Sequence, residues 1–340
     1  MKKILLVATG GTLACGTEEG VLTPSLDAVS ILKYIPEYKK LCDIDSLQIF
    51  NIGSTSMQPE HWIEIANTIE KYYNEYDGFI ITHGTDTMGY TSAALSYMIQ
   101  DLTKPIILTG AQKPIEAEET DAKRNLLDSI RFSLEGIGGV FVVFNGKVIN
   151  GTRAKKIKSK SYDAFKSINF PYIAKIQDGK IEFIESKIDK ADKLETRFYT
   201  SLNTDVFLLK LIPGTKPQLF DYIKTTYKGI VIETFGVGGM PFGENRNLLI
   251  KIKDLIDAGM VVVITTQCLE EGCDLSIYKV GKETAKYPII SAHDMNTEAA
   301  VTKLMWVLAH TSSITEATEA FLTPIYNDII ITPQLLTATD

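Results

Sequence analysis

Several features that would place this chain in a specialised class are scarce or missing. Only four cysteines occur in 340 residues. They are Cys15, Cys42, Cys268 and Cys273, and no two form a C-x-x-C pair, which argues against a disulfide framework or a thiolate metal site. The four histidines, His61, His83, His293 and His310, make no metal-ligand spacing, so no metal is expected. Basic residues do not outnumber acidic ones. The net charge of −7 argues against nucleic acid or an anionic membrane surface as the main partner. No apolar run reaches the ~18 residues that a membrane-crossing helix needs. Lys2-Lys3 opens a short apolar run that ends in Gly-Gly, which is not the pattern of a secretory leader. Reduced thiols in a cytoplasmic protein are therefore expected. There is no internal repeat and no low-complexity tract.

What the chain does have is apolar content, 45% of its residues, enough for a large core. Its length allows two domains at roughly 100–200 residues each. Strand-like runs at Ile4–Ala8, Leu47–Ile52, Phe79–Thr82, Ile106–Thr109 and Val140–Phe144 alternate with amphipathic stretches at Glu60–Tyr73, Tyr90–Gln100 and Asp121–Leu134. Such alternation predicts βαβ units. The expected fold is α/β, with a doubly wound, mostly parallel sheet in an N-terminal domain over 1–186. Tyr172–Glu185 holds two alternating runs around Asp178-Gly179, a β-hairpin signal. A charged, weakly periodic stretch over 187–204 is expected to be a linker. Beyond it, Val206–Leu211, Ile230–Thr234 and Val261–Thr265, with helices near Glu244–Ala258 and Glu298–Ala309, predict a smaller α/β C-terminal domain over 205–340.

Two segments carry candidate chemistry. The first strand ends in Thr9-Gly10-Gly11-Thr12, where a glycine turn presents one hydroxyl. The adjacent glycines do not fit the G-x-G-x-x-G dinucleotide loop, and the P-loop lysine is missing. An ordinary strand-end turn also fits the tetrapeptide. A later strand ends in His83-Gly84-Thr85-Asp86-Thr87, just before a helix that begins near Gly89. Asp86 there either caps the helix or meets the ammonium of a small substrate. His83 reads as a packed or hydrogen-bonded histidine. Ligands in parallel sheets bind beyond the carboxyl ends of the strands, where Thr12 and Thr85 both fall. Gly151–Lys156 opens a basic run that also includes Lys158 and Lys160. Most of it reads as a solvated face, although a buried lysine can act as a base. The polar run after Ile52 reads either as a helix-capping loop or as hydroxyl donors for a carboxylate.

Together these segments resemble one family, the bacterial L-asparaginases, which are threonine amidohydrolases. T-G-G-T at Thr9–Thr12 and H-G-T-D-T at His83–Thr87 match its two signature segments. The likeness extends through Ser92–Met98, T-D-A-K-R-N at Thr120–Asn125, G-T-R-x-x-K at Gly151–Lys156, Glu233–Gly239 and Thr265–Cys268. The chain looks most like the cytoplasmic, type I branch. The resemblance implies that Thr12 attacks the side-chain amide of L-asparagine. It implies Thr85 as the second threonine, Lys156 as its lysine partner and Asp86 as the holder of the substrate ammonium. Ser54 and Thr55 fall where the family binds the α-carboxylate, and the glycine turn at Gly11 brings main chain close to the substrate. No metal or organic cofactor is implied. A homodimer or homotetramer with active sites near the subunit contact is. One departure stands out. Many relatives carry a tyrosine in the loop after the first threonine, and the stretch Leu13–Val29 has none. Tyr278 either supplies that phenol from a neighbouring chain or packs at the contact.

Rival readings remain open at this stage. They are a glutaminase-asparaginase of broader specificity, the asparaginase-like subunit of a tRNA-dependent amidotransferase, and a non-catalytic amino-acid-binding protein. The amidotransferase component would be expected to carry an extra domain before the first strand, whereas here a strand is expected from Lys2 or Lys3. The binding protein would need Asp86 and the Ser54/Thr55 donors, but not Thr12, Thr85 and Lys156 together.

Overall fold

Lys3–Gly10 forms strand β1, and its residues from Ile4 onward are buried. A strand with both faces covered shows no polar alternation, which explains the continuous apolar run. The computed structural model describes residues 1–18, 21–184, 195–243, 246–277 and 287–330. These fall into two units, Met1–Thr200 and Ser201–Asp340.

In the first unit β1 is followed by a short hairpin, β2 (Cys15–Glu18) and β3 (Val21–Pro24), and by helix α1 (Ala28–Lys33). Next come β4 (Asp43–Ile52), α2 (Pro59–Tyr72), β5 (Gly78–Thr82), α3 (Met88–Met98) and β6 (Ile99–Gln100). Then follow β7 (Pro105–Thr109), α4 (Ala122–Ser133), β8 (Gly139–Phe144) and β9 (Lys147–Asn150). The pairs β10 (Ala154–Lys156) with β11 (Phe165–Ser167), and β12 (Ala174–Gln177) with β13 (Lys180–Phe183), precede β14 (Arg197–Phe198).

The main sheet has eight strands in the order β13-β12-β9-β8-β7-β5-β1-β4. From β8 to β4 every pair is parallel, and the remaining pairs are antiparallel. The chain leaves β1 for β4 on one side and returns to β5 on the other. The β1/β5 boundary is therefore the topological switch point, where open α/β sheets bind ligands beyond the strand ends.

One face of the sheet, with Ile4, Leu6, Ile80 and Ile107, packs on Ile31 and Leu32 of α1 and on Leu126 and Ile130 of α4. Full burial of each such side chain contributes about 1.5–3 kcal/mol. Side chains alternate between faces along a strand, so Phe79 lies on the other face, where it stacks on Tyr73 beyond the end of α2. Helix α3 was expected to be amphipathic. Instead it is buried on every side, with only Tyr90 partly exposed. Its small residues make this possible, since Ser92 and Ser96 turn their hydroxyls onto carbonyls of Gly151 and Ser92. The expected helix end at Ile99–Gln100 is a short strand paired with Arg197–Phe198. The Asp178-Gly179 turn joins β12 to β13 with both φ values positive, 50° and 76°, the geometry of a type I′ hairpin.

The second unit is smaller. Its four strands, β15 (Val206–Lys210), β16 (Gly229–Thr234), β17 (Val261–Thr266) and β18 (Ile289–Ser291), lie in that order and are all parallel. Ile230, Ile232, Val262 and Ile264 pack on Phe220 and Ile223 of α5 (Leu219–Thr226) and on Ile252 and Leu255 of α6 (Leu248–Asp257). Helices α7 (Thr297–His310) and α8 (Ile314–Leu322) follow among the described residues. The first part of the expected linker over 187–204 lies outside the described residues.

Candidate active site

The site begins with three glycines. Gly10 and Gly11 have φ of 105° and 79°, a backbone region that side chains rarely adopt. A Cβ on Gly11 would stand 2.4 Å from the Gly84 nitrogen and 2.5 Å from its Cα. A Cβ on Gly84 would in turn stand 2.7 Å from the Ser54 side chain. The ends of β1 and β5 and the turn after β4 therefore touch main chain to main chain. This contact brings together, beyond the switch point, the residues that immediately precede Thr12 and Thr85. The Gly11 N–H is held by the Ile52 carbonyl at 3.0 Å.

Thr85 is buried, 5% exposed. Lys156 Nζ donates to its Oγ1 at 2.6 Å and to Asp86 Oδ1 at 2.8 Å. The lysine side chain is 17% exposed and the aspartate 57%, so the carboxylate faces outward and the ammonium is mostly covered. Strand alternation separates Lys156 from its neighbour. On β10, Lys156 stands opposite Phe165 while Lys155 stands opposite Lys166 and points to the other face. The strand is set by α3, because Gly151 packs so tightly that a Cβ there would stand 2.9 Å from Ser96 Oγ. Of the basic run, Lys158 and Lys160 are exposed. Arg153 is the exception to the solvated reading: it is fully buried over the Phe170 ring.

Ser54 is buried and its Oγ accepts from the Asp86 N–H at 3.2 Å. Its carbonyl accepts from the Thr87 hydroxyl at 2.8 Å. Its own hydroxyl proton can therefore be offered to a ligand. Thr55 follows in a 3-10 turn and is exposed. The local order is then an exposed carboxylate beside hydroxyl donors, a pattern that suits a zwitterion.

Behind the site His83 is fully buried. Its Nδ1–H donates to the Gly84 carbonyl at 2.7 Å, and Nε2 accepts from the Thr91 hydroxyl at 2.9 Å. Thr91 Oγ1 accepts from the Trp62 indole at 2.9 Å. Each donor in this chain meets an acceptor only if the imidazole is neutral. Burial pushes its pKa down from 6.5 to about 4. The histidine thus stiffens the Gly84 turn and is no metal ligand.

Gln112, beside Thr85, escaped sequence reasoning, and Asp121, which holds its main chain, entered it only within the T-D-A-K-R-N match. Gln112 Oε1 accepts from the Thr85 hydroxyl at 3.4 Å. Asp121 is buried and accepts from the main-chain N–H groups of Gln112 and Lys113 and from Asn125 Nδ2. The available signal was positional, since Gln112 follows the end of β7, the strand beside β5. Tyr278 lies outside the described residues. Among the described residues no cluster of histidine, cysteine or acidic side chains is placed to hold a metal, and no helix is long and apolar enough to cross a membrane. All four cysteines are free, and Cys268 is exposed.

A doubly wound α/β domain with a threonine–lysine–aspartate cluster at its switch point, followed by a smaller α/β domain, defines the class. Comparison with known proteins gives the family. Residues 3–189 match the N-terminal asparaginase domain and residues 205–321 the glutaminase/asparaginase C-terminal domain, and the chain belongs to the asparaginase family. It is 39% identical over 338 residues to one of the subunits of the glutamyl-tRNA(Gln) amidotransferase of Pyrococcus furiosus, covering 96% of this chain and 76% of that one. The thermostable L-asparaginase from Thermococcus kodakarensis superposes with a TM-score of 0.92 at 36% identity, covering 97% of this chain and 100% of that one. L-asparaginase I from Vibrio cholerae superposes with a TM-score of 0.87 at 28% identity, covering 97% and 99%.

Proposed function

We propose that this chain hydrolyses L-asparagine to L-aspartate and ammonia, with Thr12 as the nucleophile. The observation that supports the reading is the contact of Gly11 with Gly84, the residues just before Thr12 and Thr85, together with the bond of Lys156 to the Thr85 hydroxyl at 2.6 Å.

A carboxamide is a poor electrophile and a threonine hydroxyl a poor nucleophile, so the site must move a proton and stabilise an oxyanion. Asp86 takes the substrate ammonium, while Ser54 and Thr55 donate to its α-carboxylate. The arriving ammonium competes with Lys156 for Asp86, which weakens the hold on the lysine proton. With Lys156 neutral, Thr85 passes its own proton to Nζ as it accepts the Thr12 proton. Thr12 Oγ1 bonds to the amide carbon, and main-chain N–H groups beside Gly11 and Thr85 receive the oxyanion. The relay returns a proton to the leaving nitrogen, the C–N bond breaks and ammonia departs from an acyl-enzyme ester. Water, deprotonated by the same relay, cleaves the ester and frees aspartate. No step requires a metal or an organic cofactor. The reading extends to a cytoplasmic homodimer or homotetramer with active sites near the subunit contact.

The test is ammonia release from L-asparagine and L-glutamine by the chain and by Thr12→Ala. Release from asparagine that is lost in the variant supports the proposal. Equal release from both amides would make the chain a glutaminase-asparaginase. Asparagine and glutamine differ by one methylene, which apolar contact discriminates by only about 10–200-fold. Binding without turnover would leave an amino-acid-binding protein. A second reading is favoured by the likeness to the amidotransferase component of P. furiosus: the same amide chemistry would serve a transferase complex. Ammonia release that appears only with a partner protein would favour it.

A further inference from the structure

On either side of Thr85 the main chain is tied down. The His83 N–H donates to the Thr109 carbonyl at 2.8 Å, and the Asp86 N–H donates to Ser54 Oγ at 3.2 Å. The Thr85 N–H lies between them and has no acceptor among the described residues. It is an unused donor on the residue whose hydroxyl meets Lys156.

The direction of that donor is set by the peptide unit to which it belongs. The Gly84 carbonyl and the Thr85 N–H are the two ends of one planar trans unit, so they point in opposite directions. The carbonyl accepts from His83 Nδ1–H at 2.7 Å, and the ring has no exposed surface. The Thr85 N–H therefore points away from the buried ring. Position 84 has to be glycine, because a Cβ there would stand 2.7 Å from the Ser54 side chain. Glycine also leaves the unit easier to rotate than any other residue would. The histidine bond opposes that rotation.

From this geometry we infer that His83 is a positioning residue for the reaction: by holding the Gly84 carbonyl it aims the Thr85 N–H at the place where the oxyanion of the tetrahedral intermediate develops. This rests on the hydrolytic reading above and deepens it. The ring is itself held from behind. A carbonyl only accepts, so Nδ1 carries the proton. Nε2 accepts from the Thr91 hydroxyl at 2.9 Å, and Thr91 Oγ1 accepts from the Trp62 indole at 2.9 Å. An indole N–H cannot accept and a carbonyl cannot donate, so with a neutral ring the run Trp62–Thr91–His83–Gly84 orders in one sense only. A donor aimed in advance needs no reorganisation when the charge appears, which is what makes such a donor effective.

The test compares His83→Leu with His83→Asn by kcat and KM for L-asparagine at pH 7, in proteins that tryptophan emission shows to be folded. The asparagine nitrogen can stand near the place of Nδ1 and donate to the Gly84 carbonyl, whereas leucine has no donor. The leucine variant is expected to lower kcat by roughly 10–100-fold, short of the ~10²–10³ that follows outright removal of an oxyanion donor. Its KM should stay near the wild-type value, because the contact is made in the transition state and not with the bound amide. The asparagine variant is expected to keep most of the wild-type kcat. A histidine that only fills space predicts another pattern. Asparagine leaves the larger void and would be the poorer enzyme, and a loosened turn would raise KM through Asp86 and Ser54. Equal losses of kcat in the two variants, a loss carried by KM, or a wild-type kcat in the leucine variant overturns the inference, while turnover by the wild type upholds the hydrolase. A wild-type chain that releases no ammonia from either amide overturns both. Should His83→Leu fail to fold, the kcat of His83→Asn, kept or lost, still decides the matter.

Discussion

Acid should destabilise the first unit through His83, by an amount the structure sets. The imidazole is fully buried and its pKa lies at about 4, against 6.5 for an exposed histidine. Between those values the unfolded chain binds a proton that the folded chain refuses. Stability tied to the neutral ring is therefore complete above about pH 6.5 and is lost as pH falls toward 4. At pH 5 an unfolded histidine is almost fully protonated and the folded one about a tenth, so the loss relative to pH 7 is about 2 kcal/mol, rising to about 3 kcal/mol near pH 4. No solvent screening reduces this figure, because the ring has no exposed surface. The cause is local. A second ring proton would face Thr91 Oγ1, which already accepts from Trp62 and would then have no acceptor for its own proton. The chain has two tryptophans, Trp62 in the first unit and Trp306 in the second. A Trp306→Phe background lets indole fluorescence report the first unit alone. Urea unfolding at pH 7 and pH 5 is then compared with and without His83→Gln, whose amide can meet the same partners but cannot titrate. The histidine protein should lose about 2 kcal/mol more than the glutamine variant. Equal losses would refute the assignment of a neutral, hydrogen-bonded ring.

Two further expectations follow from contacts elsewhere in the chain. Gly11→Ala forces a Cβ to within 2.4 Å of the Gly84 main chain at a φ of 79°. The two strand ends must separate, so ammonia release should fall by two orders of magnitude or more, as misplacement by about 1 Å does, and an assay near wild-type rate would show that the contact is not what sets the threonines. In the second unit Lys303 and Asp328 are wholly buried and paired at 2.6 Å. Lys303→Met should destabilise that unit by about 3–5 kcal/mol by stranding the carboxylate, and adding Asp328→Leu should recover most of it. Urea unfolding followed by Trp306 emission checks both variants.

Much of this was legible from sequence because it depends on local rules. Apolar runs buried on both faces read as parallel strands, and β1, β5, β7 and β8 lie where those runs predict. The Asp178-Gly179 hairpin was equally readable, since only residues tolerant of positive φ fit such a turn. Helix α3 was misjudged as amphipathic because periodicity describes one covered face, whereas this helix is enclosed on all sides, with serine hydroxyls turned onto carbonyls.

The site divides in the same way. By itself the sequence determined which chemistry-bearing residues exist and that each follows a strand: Thr12, Ser54, Thr85 and Asp86 are all placed by strand-end turns. Tertiary structure alone decided their company. The Gly11–Gly84 contact, the bond of Lys156 to Thr85, the hydrogen bonds of His83 and the approach of Gln112 all join segments far apart in the chain. Local patterns carry no information about such meetings, because sheet order and helix burial fix them, and a hydrogen bond between distant residues exists only once the layers have packed.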